Sequence, residues 1–341
     1  MGSWIYLVKN FFSEYTFTWA RYSIPIGVVF SKIIFILLSI AFFTLLERKV
    51  MSSIQRRRGP NILGFFGVLQ PFADGIKLLL KELSITSNTT IFIYFLAPIL
   101  TFSFTIPIWF LIPMDGYYTM LDLPFTILLV LAISTLSVHG ILFAGWSSNS
   151  KYAFLGGIRS ASQMISYELC LSTIYLCVSI ISGGFSWYDI VYAQRNVWFI
   201  FPLLPLFVVF LISALAETNR TPFDLPEAEA ELVAGYNVEY SAIAFASFFS
   251  AEYGNMLIMC CLTTILFLGG WSWTVFSFLS PILIFSIKVC FFMFFYIWIR
   301  AAVPRYRYDQ LMSIGWRVLL PVTFFLFFLS ISIFVGLSMF I

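Results

Sequence analysis

The chain has 341 residues, of which 61% are hydrophobic and only 10% charged, with a formal net charge of +3. A soluble domain usually carries about 25% charged residues, so a mean hydropathy of +0.96 excludes an ordinary water-soluble globule. The small positive charge points to no nucleic-acid partner. Apolar runs of about 20 residues match the roughly 30 Å hydrocarbon thickness of a bilayer, and only helices or closed barrels satisfy the backbone there. The expected class is an all-α integral membrane protein forming one membrane domain, with about eight transmembrane helices and one amphipathic interfacial helix.

In chain order the predicted spans are 24–46, 91–113, 125–146, 164–182, 197–216, 241–270, 275–299 and 318–340. The first run is too long for a signal-peptide core and has no small-residue cleavage site after it, so it is expected to be retained. The sixth is too long for one upright helix and carries Glu252, Tyr253, Gly254 and Asn255 near its middle. A tilt, a break or an in-plane portion is expected there. With the N-terminus outside, the connections 47–90, 147–163, 217–240 and 300–317 face inside. They hold 14 of the 19 Lys and Arg, which is the positive-inside signal. Both termini then lie outside.

The first inner connection runs through Glu47, Arg48, Lys49 and Arg56–Arg58 to a helix expected over 71–82. Gln70, Asp74, Lys77 and Lys81 form its polar stripe, and Leu69, Phe72, Ala73, Ile76 and Leu80 the apolar one. Such a segment lies in the interface rather than across it. It either rests on headgroups or walls the mouth for a lipid-like substrate. The third inner connection, 217–240, opposes the local trend. Glu217, Asp224, Glu227, Glu229, Glu231 and Glu239 sit there against one Arg220. Glu227 and Glu231 are four apart and share a helix face, while Asp224 precedes the Leu-Pro that starts that helix. Arg300, Arg305, Arg307 and Arg317 face the same side in the last connection, where an ion-paired network would lower the cost of carboxylates near a low-dielectric boundary.

Four ionisable residues fall within spans: Lys32, Glu168, Glu252 and Lys288. Each needs a partner, a proton or water. For Glu168 and Glu252 the choice is between proton handling and a structural pair, and Lys32 is long enough to reach an interface. A partly buried row of carboxylates flanked by cations titrates near neutrality, because burial raises a carboxyl pKa and a cation lowers it. Cys170, Cys177, Cys260, Cys261 and Cys290 all lie in spans without a C-x-x-C pair and read as small buried hydrophobes. The single histidine, His139, reads as a hydrogen-bonded packing residue. No nucleotide-binding glycine loop occurs. Flavin, iron–sulfur and metal binding by this chain alone are therefore not expected.

The segments Glu47-Arg48-Lys49, Arg58-Gly-Pro-Asn, 67–78, 217–241 and 300–312 resemble the quinone-site membrane subunits of respiratory complex I, the proton-pumping NADH–ubiquinone oxidoreductase. The likeness extends over about 24–340. Residues 1–23 depart from many members and look like an extension. The resemblance implies ubiquinone as substrate, with the headgroup reduced in a neighbouring hydrophilic subunit. It implies a quinone channel with the 71–82 helix and Phe72 at its mouth. Arg48, Phe223, Asp224, Glu227, Glu231, Arg300 and Arg305 line that channel. A proton path through Glu168, Glu217, Glu227, Glu239 and Glu252 leads toward the pumping subunits. Partners are then the other complex I subunits, above all the hydrophilic quinone module and small membrane subunits, together with membrane lipids. The alternatives are a self-contained cation or proton transporter, or the equivalent subunit of a membrane-bound hydrogenase. High Phe content and hydrophobicity suit the mitochondrial inner membrane; a bacterial inner membrane is the alternative.

Overall fold

A computed structural model describes residues 26–115, 123–224, 235–273 and 279–340. Among these residues the structure is helical, with α1 (Ile26–Ile54), α2 (Gln70–Leu80), α3 (Ile91–Leu111), α4 (Thr126–Ser147), α5 (Lys151–Ser182) and α6 (Trp187–Ala193). It continues with α7 (Leu204–Glu217), α8 (Ala242–Phe267), α9 (Pro281–Ala302), α10 (Tyr308–Ser313) and α11 (Leu320–Phe340). Among the described residues seven stretches are long and apolar enough to cross a membrane, and α7 is a shorter apolar helix. The chain is an all-α membrane protein.

Three sequence-based boundaries shift for local reasons. The run 197–216 yields only the 14-residue α7, because Pro205 occupies its first turn and turns precede it. α5 begins at Lys151, well before 164, capped by Ser150, whose Oγ accepts from Ala153 N at 3.4 Å. At 32 residues it is about 48 Å long and extends beyond the bilayer core. The sixth span is an unbroken 26-residue helix, so Glu252–Asn255 interrupt nothing. At about 39 Å it exceeds the hydrocarbon thickness, which leaves tilt as the means of fitting it.

α8 is the central helix, buried along most of its length. α3 packs on it, α4 on α3 and α5 on α4, α7 lies on α5, and α1 and α9 pack on α8 and on each other. Backbones approach closely between α4 and α5: a Cβ built on Gly157 would lie 3.1 Å from Gly145 Cα. Small residues at such a crossing are how membrane helices pack. The same logic places the acidic connection. A Cβ on Gly156 would sit 2.9 Å from the backbone of Gly235, so α5 seats residues 235–237 directly.

The four connections expected on one side do meet at one end. Ser84 Oγ bonds to Ser241 Oγ (2.9 Å), Tyr94 Oη donates to the Glu239 carbonyl (2.8 Å), and Tyr306 N donates to the Pro222 carbonyl (3.1 Å). Asn149 Nδ2 donates to the Asn88 carbonyl (3.1 Å). At the other end Gln194 Nε2 donates to the Ile265 and Leu266 carbonyls. Two packing expectations do not hold within the described residues. Cys290 is exposed on α9, in the groove facing α1, and His139 is exposed on α4 beside buried Ser137 and Val138. Each lies one step off its helix's buried stripe.

Candidate functional site

At the charged end, α1 carries a stripe of Ile36, Ile40, Phe43 and Glu47 into the core. Spacings of three and four put all four on one face, so Glu47 is buried while Arg48 points away. Glu47 accepts a hydrogen bond from Tyr253 Oη at 2.6 Å and pairs with Arg300. The buried Arg220 lies 3.8 Å from the same carboxylate and stacks over the Tyr253 ring at 4.3 Å from its centroid. α1, the 218–224 turn, α8 and α9 each supply one member of this cluster. Two arginines and a phenol around one carboxylate hold it ionised and fix it in place.

Glu47, Tyr253 and Arg300 of this cluster line the floor of a polar cavity of about 490 Å³, whose walls include Arg48, Arg57, Arg58 and Pro60, and Arg220 lies behind that floor. Arg48 Nη1 donates to Asp74 Oδ2 at 2.7 Å, tying α2 to the rim, and Gln70 Nε2 donates to Asp74 Oδ1 at 3.0 Å. Phe72 meets Phe42 of α1 edge-on, with ring centroids 6.1 Å apart. The rest of the apolar face of α2, with Ile76, Leu79 and Leu80, is exposed. The loop before α2 is held by Gly67, whose φ of +75° and contact with the Pro60 carbonyl leave no room for a side chain.

The 218–224 turn is fixed from below by Gln163, whose Nε2 donates to the Ala216 and Phe223 carbonyls at 2.7 and 2.9 Å. Phe223 is buried between Tyr306, stacked at 5.6 Å, and Tyr167 at 6.1 Å. Asp224 is buried, and the half-exposed Arg305 reaches it at 3.5 Å. Glu227, Glu229 and Glu231 lie outside the described residues.

Deeper, the carboxylates separate into individual sites. Glu168 on α5 accepts from Ser134 Oγ of α4 at 2.9 Å. Glu217, at the end of α7, is buried, and among the described residues its Oε2 has no hydrogen-bond partner. Glu217 lines one small cavity of about 20 Å³ with Ser134, Ser137, Tyr175, Thr218 and Asn255, and Glu168 is joined to it only through its hydrogen bond with Ser134. That is enough volume for one water. Glu252 accepts from Tyr236 Oη at 2.6 Å. Glu239 is half-buried beside Tyr94, which stacks on Tyr240 at 4.2 Å. Burial pushes the Tyr240 phenol up, opposed by its 3.0 Å hydrogen bond with Ser147.

The structure gives the two membrane lysines different settings. Lys288 Nζ donates to the carbonyls of Leu268, Gly270 and Ser272 at 2.7–2.9 Å and lies over Trp198 and Trp273. It caps the C-terminal end of α8, where a cation suits both the free carbonyls and the dipole. Lys32 Nζ is buried and has no hydrogen-bond partner among the described residues. Sequence reasoning left Glu47, Arg220 and Tyr253 out of the site, although the α1 stripe carried the signal for Glu47. Among the described residues no group of three His, Cys, Asp or Glu is placed to hold a metal ion.

Fold and site define a polytopic helical membrane subunit with a charged vestibule at one end, an interfacial helix on its rim and isolated carboxylates beneath. Comparisons with known proteins give the particular family. The NADH dehydrogenase family matches residues 28–331. The NADH-ubiquinone oxidoreductase chain 1 of Chondrus crispus is 55% identical over 292 residues, covering 84% of this chain and 90% of the relative. That of Arabidopsis thaliana is 53% identical over the same shares. An NADH-quinone oxidoreductase subunit from Paramagnetospirillum magneticum is 49% identical over 323 residues, covering 93% and 94%. The chain belongs to the NADH dehydrogenase family of membrane subunits.

Proposed function

We propose that this chain is the membrane subunit that forms the quinone access channel of a proton-pumping NADH–quinone oxidoreductase and couples quinone reduction to proton translocation. The observation that carries the reading is the layered arrangement at one end of the bundle. A charged vestibule opens beside an amphipathic helix, and its floor, Glu47–Tyr253–Arg300, abuts the turn after Glu217 through the buried Arg220.

The chemistry follows from these parts. A quinone is a lipid-like molecule with a polar head, so its route passes from hydrocarbon to a polar, protein-lined space. The Phe42–Phe72 edge and the exposed apolar face of α2 suit the tail. Arg48, Arg300 and Arg305 suit the carbonyl oxygens of the head, with Asp224 beside Arg305; Glu227 and Glu231 are assigned to the same channel by the family resemblance alone. Phe223 backs this wall from the buried side. Reduction to quinol takes two electrons, supplied by a redox centre in a partner subunit, and two protons. A change of charge in the vestibule alters the field on Glu47 and Arg220, and through that arginine's turn on Glu217. A single water beside Glu217 would link it to Ser134 and so to Glu168. Glu252 and Glu239, held beside tyrosines, continue the acidic axis.

The partners implied are the hydrophilic quinone module at the charged end and neighbouring small membrane subunits. The location is the mitochondrial inner membrane with both termini on the intermembrane side, or a bacterial inner membrane in a prokaryotic source. A photoreactive ubiquinone applied to the intact complex tests the channel. Adducts are expected in 48–60, 70–80 and 300–306. A complex that reduces the probe yet carries no adduct in this chain would contradict the reading.

A further inference from the structure

A second cavity, of about 550 Å³, runs between α1 and α9 and shares no lining residue with the vestibule. Its walls are apolar, including Phe35, Phe42, Phe43, Phe285, Val289 and Met293. Along α1 it extends from Lys32 to Leu46, about 21 Å of helix. That exceeds the roughly 15 Å depth of one leaflet, so a whole acyl chain fits along it.

Lys32 is the single charged residue in this lining. Its Nζ is buried and has no hydrogen-bond partner among the described residues. The two hydroxyls in the wall are already committed to their own helices. Ser39 Oγ donates to the Ile36 carbonyl at 2.7 Å and Ser286 Oγ to the Leu283 carbonyl at 2.9 Å. An ammonium in such a place needs a counter-charge. Lys32 is also about 9 Å along the helix from Ile26, the end remote from the vestibule. A long side chain at that depth reaches the headgroup layer. One cation near the interface above a long apolar groove matches an anion joined to a hydrocarbon tail.

We infer that the α1–α9 groove binds an anionic glycerophospholipid, with its phosphate on Lys32 and one acyl chain lying along α1 toward Leu46. The occupant comes from the leaflet remote from the vestibule. It is a bound lipid that closes the seam between two helices, and its inner end reaches Phe42, whose ring also meets Phe72 at the proposed mouth of the quinone path.

The test uses the intact complex in lipid nanodiscs and two probes with the same diazirine-bearing acyl chain, one phosphatidylglycerol and one phosphatidylcholine. Adducts are expected in peptides carrying Leu257, Cys261 or residues 282–293. Phosphatidylglycerol should label about fivefold more than phosphatidylcholine, the preference one membrane-proximal lysine confers. Lys32→Arg should keep the preference and Lys32→Met should abolish it. If Lys32→Met fails to assemble, the headgroup ratios in the wild-type and Lys32→Arg complexes still decide. Equal labelling by the two headgroups overturns the proposal. So does an unlabelled groove, which would mean that a protein segment fills it, or displacement of the label by ubiquinone, which would make the groove part of the quinone path.

Discussion

Replacing Glu47 by Gln removes the one negative charge on which Tyr253, Arg220 and Arg300 converge. Arg220 is only 5% exposed, so it cannot recover its solvation. At 3.8 Å and an effective dielectric constant near 20, the lost attraction is about 4 kcal/mol. Arg300 is more exposed and contributes less. Breaking a buried pair by deleting one partner typically costs about 3–5 kcal/mol. Gln keeps one acceptor oxygen for Tyr253, so Glu47→Gln should lie near the lower end and Glu47→Ala near the upper. Two measurements on the purified complex check this: thermal dissociation of the membrane arm, and quinone reductase kinetics alongside NADH oxidation by a hydrophilic artificial acceptor. The expected result is a lowered dissociation temperature and a raised quinone KM, with the artificial-acceptor rate unchanged. An assembled Glu47→Gln complex with wild-type stability and quinone KM would refute the argument that this cluster forms the vestibule floor.

Other predictions concern separate parts of the fold. Lys288→Met loses three charge-assisted hydrogen bonds but relieves the cost of placing a cation in the membrane. With about 1.5–3 kcal/mol per bond against roughly 3 kcal/mol relieved, the net destabilisation is about 1.5–6 kcal/mol. Proton pumping per turnover should be unchanged in what assembles; lost pumping at normal stability would make Lys288 a proton-path residue. A double-mutant cycle of Asp224→Asn with Arg305→Gln should give a coupling of at most about 1 kcal/mol, because the guanidinium is half exposed. Gly157→Val should force α4 and α5 apart and prevent accumulation of the subunit on native gels. Gly75→Ala, with nothing within 4 Å, should be neutral in the same assay.

Hydropathy alone made the passes legible because the bilayer imposes one length on every crossing element. The shared end of the cation-bearing connections was legible for the same reason, through their alternation. The interfacial helix followed from its stripe and appears as Gln70–Leu80, within a residue or two of expectation. Failures came where a local feature overrode the average. Pro205 shortened a run that reads as a full span, and Ser150 started α5 inside a stretch too polar to score as membrane. The site was only half legible. Glu47 looked like the first of a charged triplet at an interface, yet it continues the buried stripe Ile36–Ile40–Phe43. The partner of Lys288 was invisible, since it bonds to main-chain carbonyls that a side-chain reading does not count. The same blindness hid Gln163, which fixes the Phe223 turn through two carbonyls.

Coupling is the central claim, and Glu217 is where it is most exposed to test: buried, with one unbonded oxygen beside a water-sized cavity below the vestibule. Gln has the same shape and cannot carry a proton. The decisive measurement is proton translocation and quinone reduction recorded together in vesicles holding the assembled Glu217→Gln complex. Both activities should fall to background while the artificial-acceptor rate stays at its wild-type value. Wild-type quinone reduction with an unchanged number of protons per turnover would contradict the account.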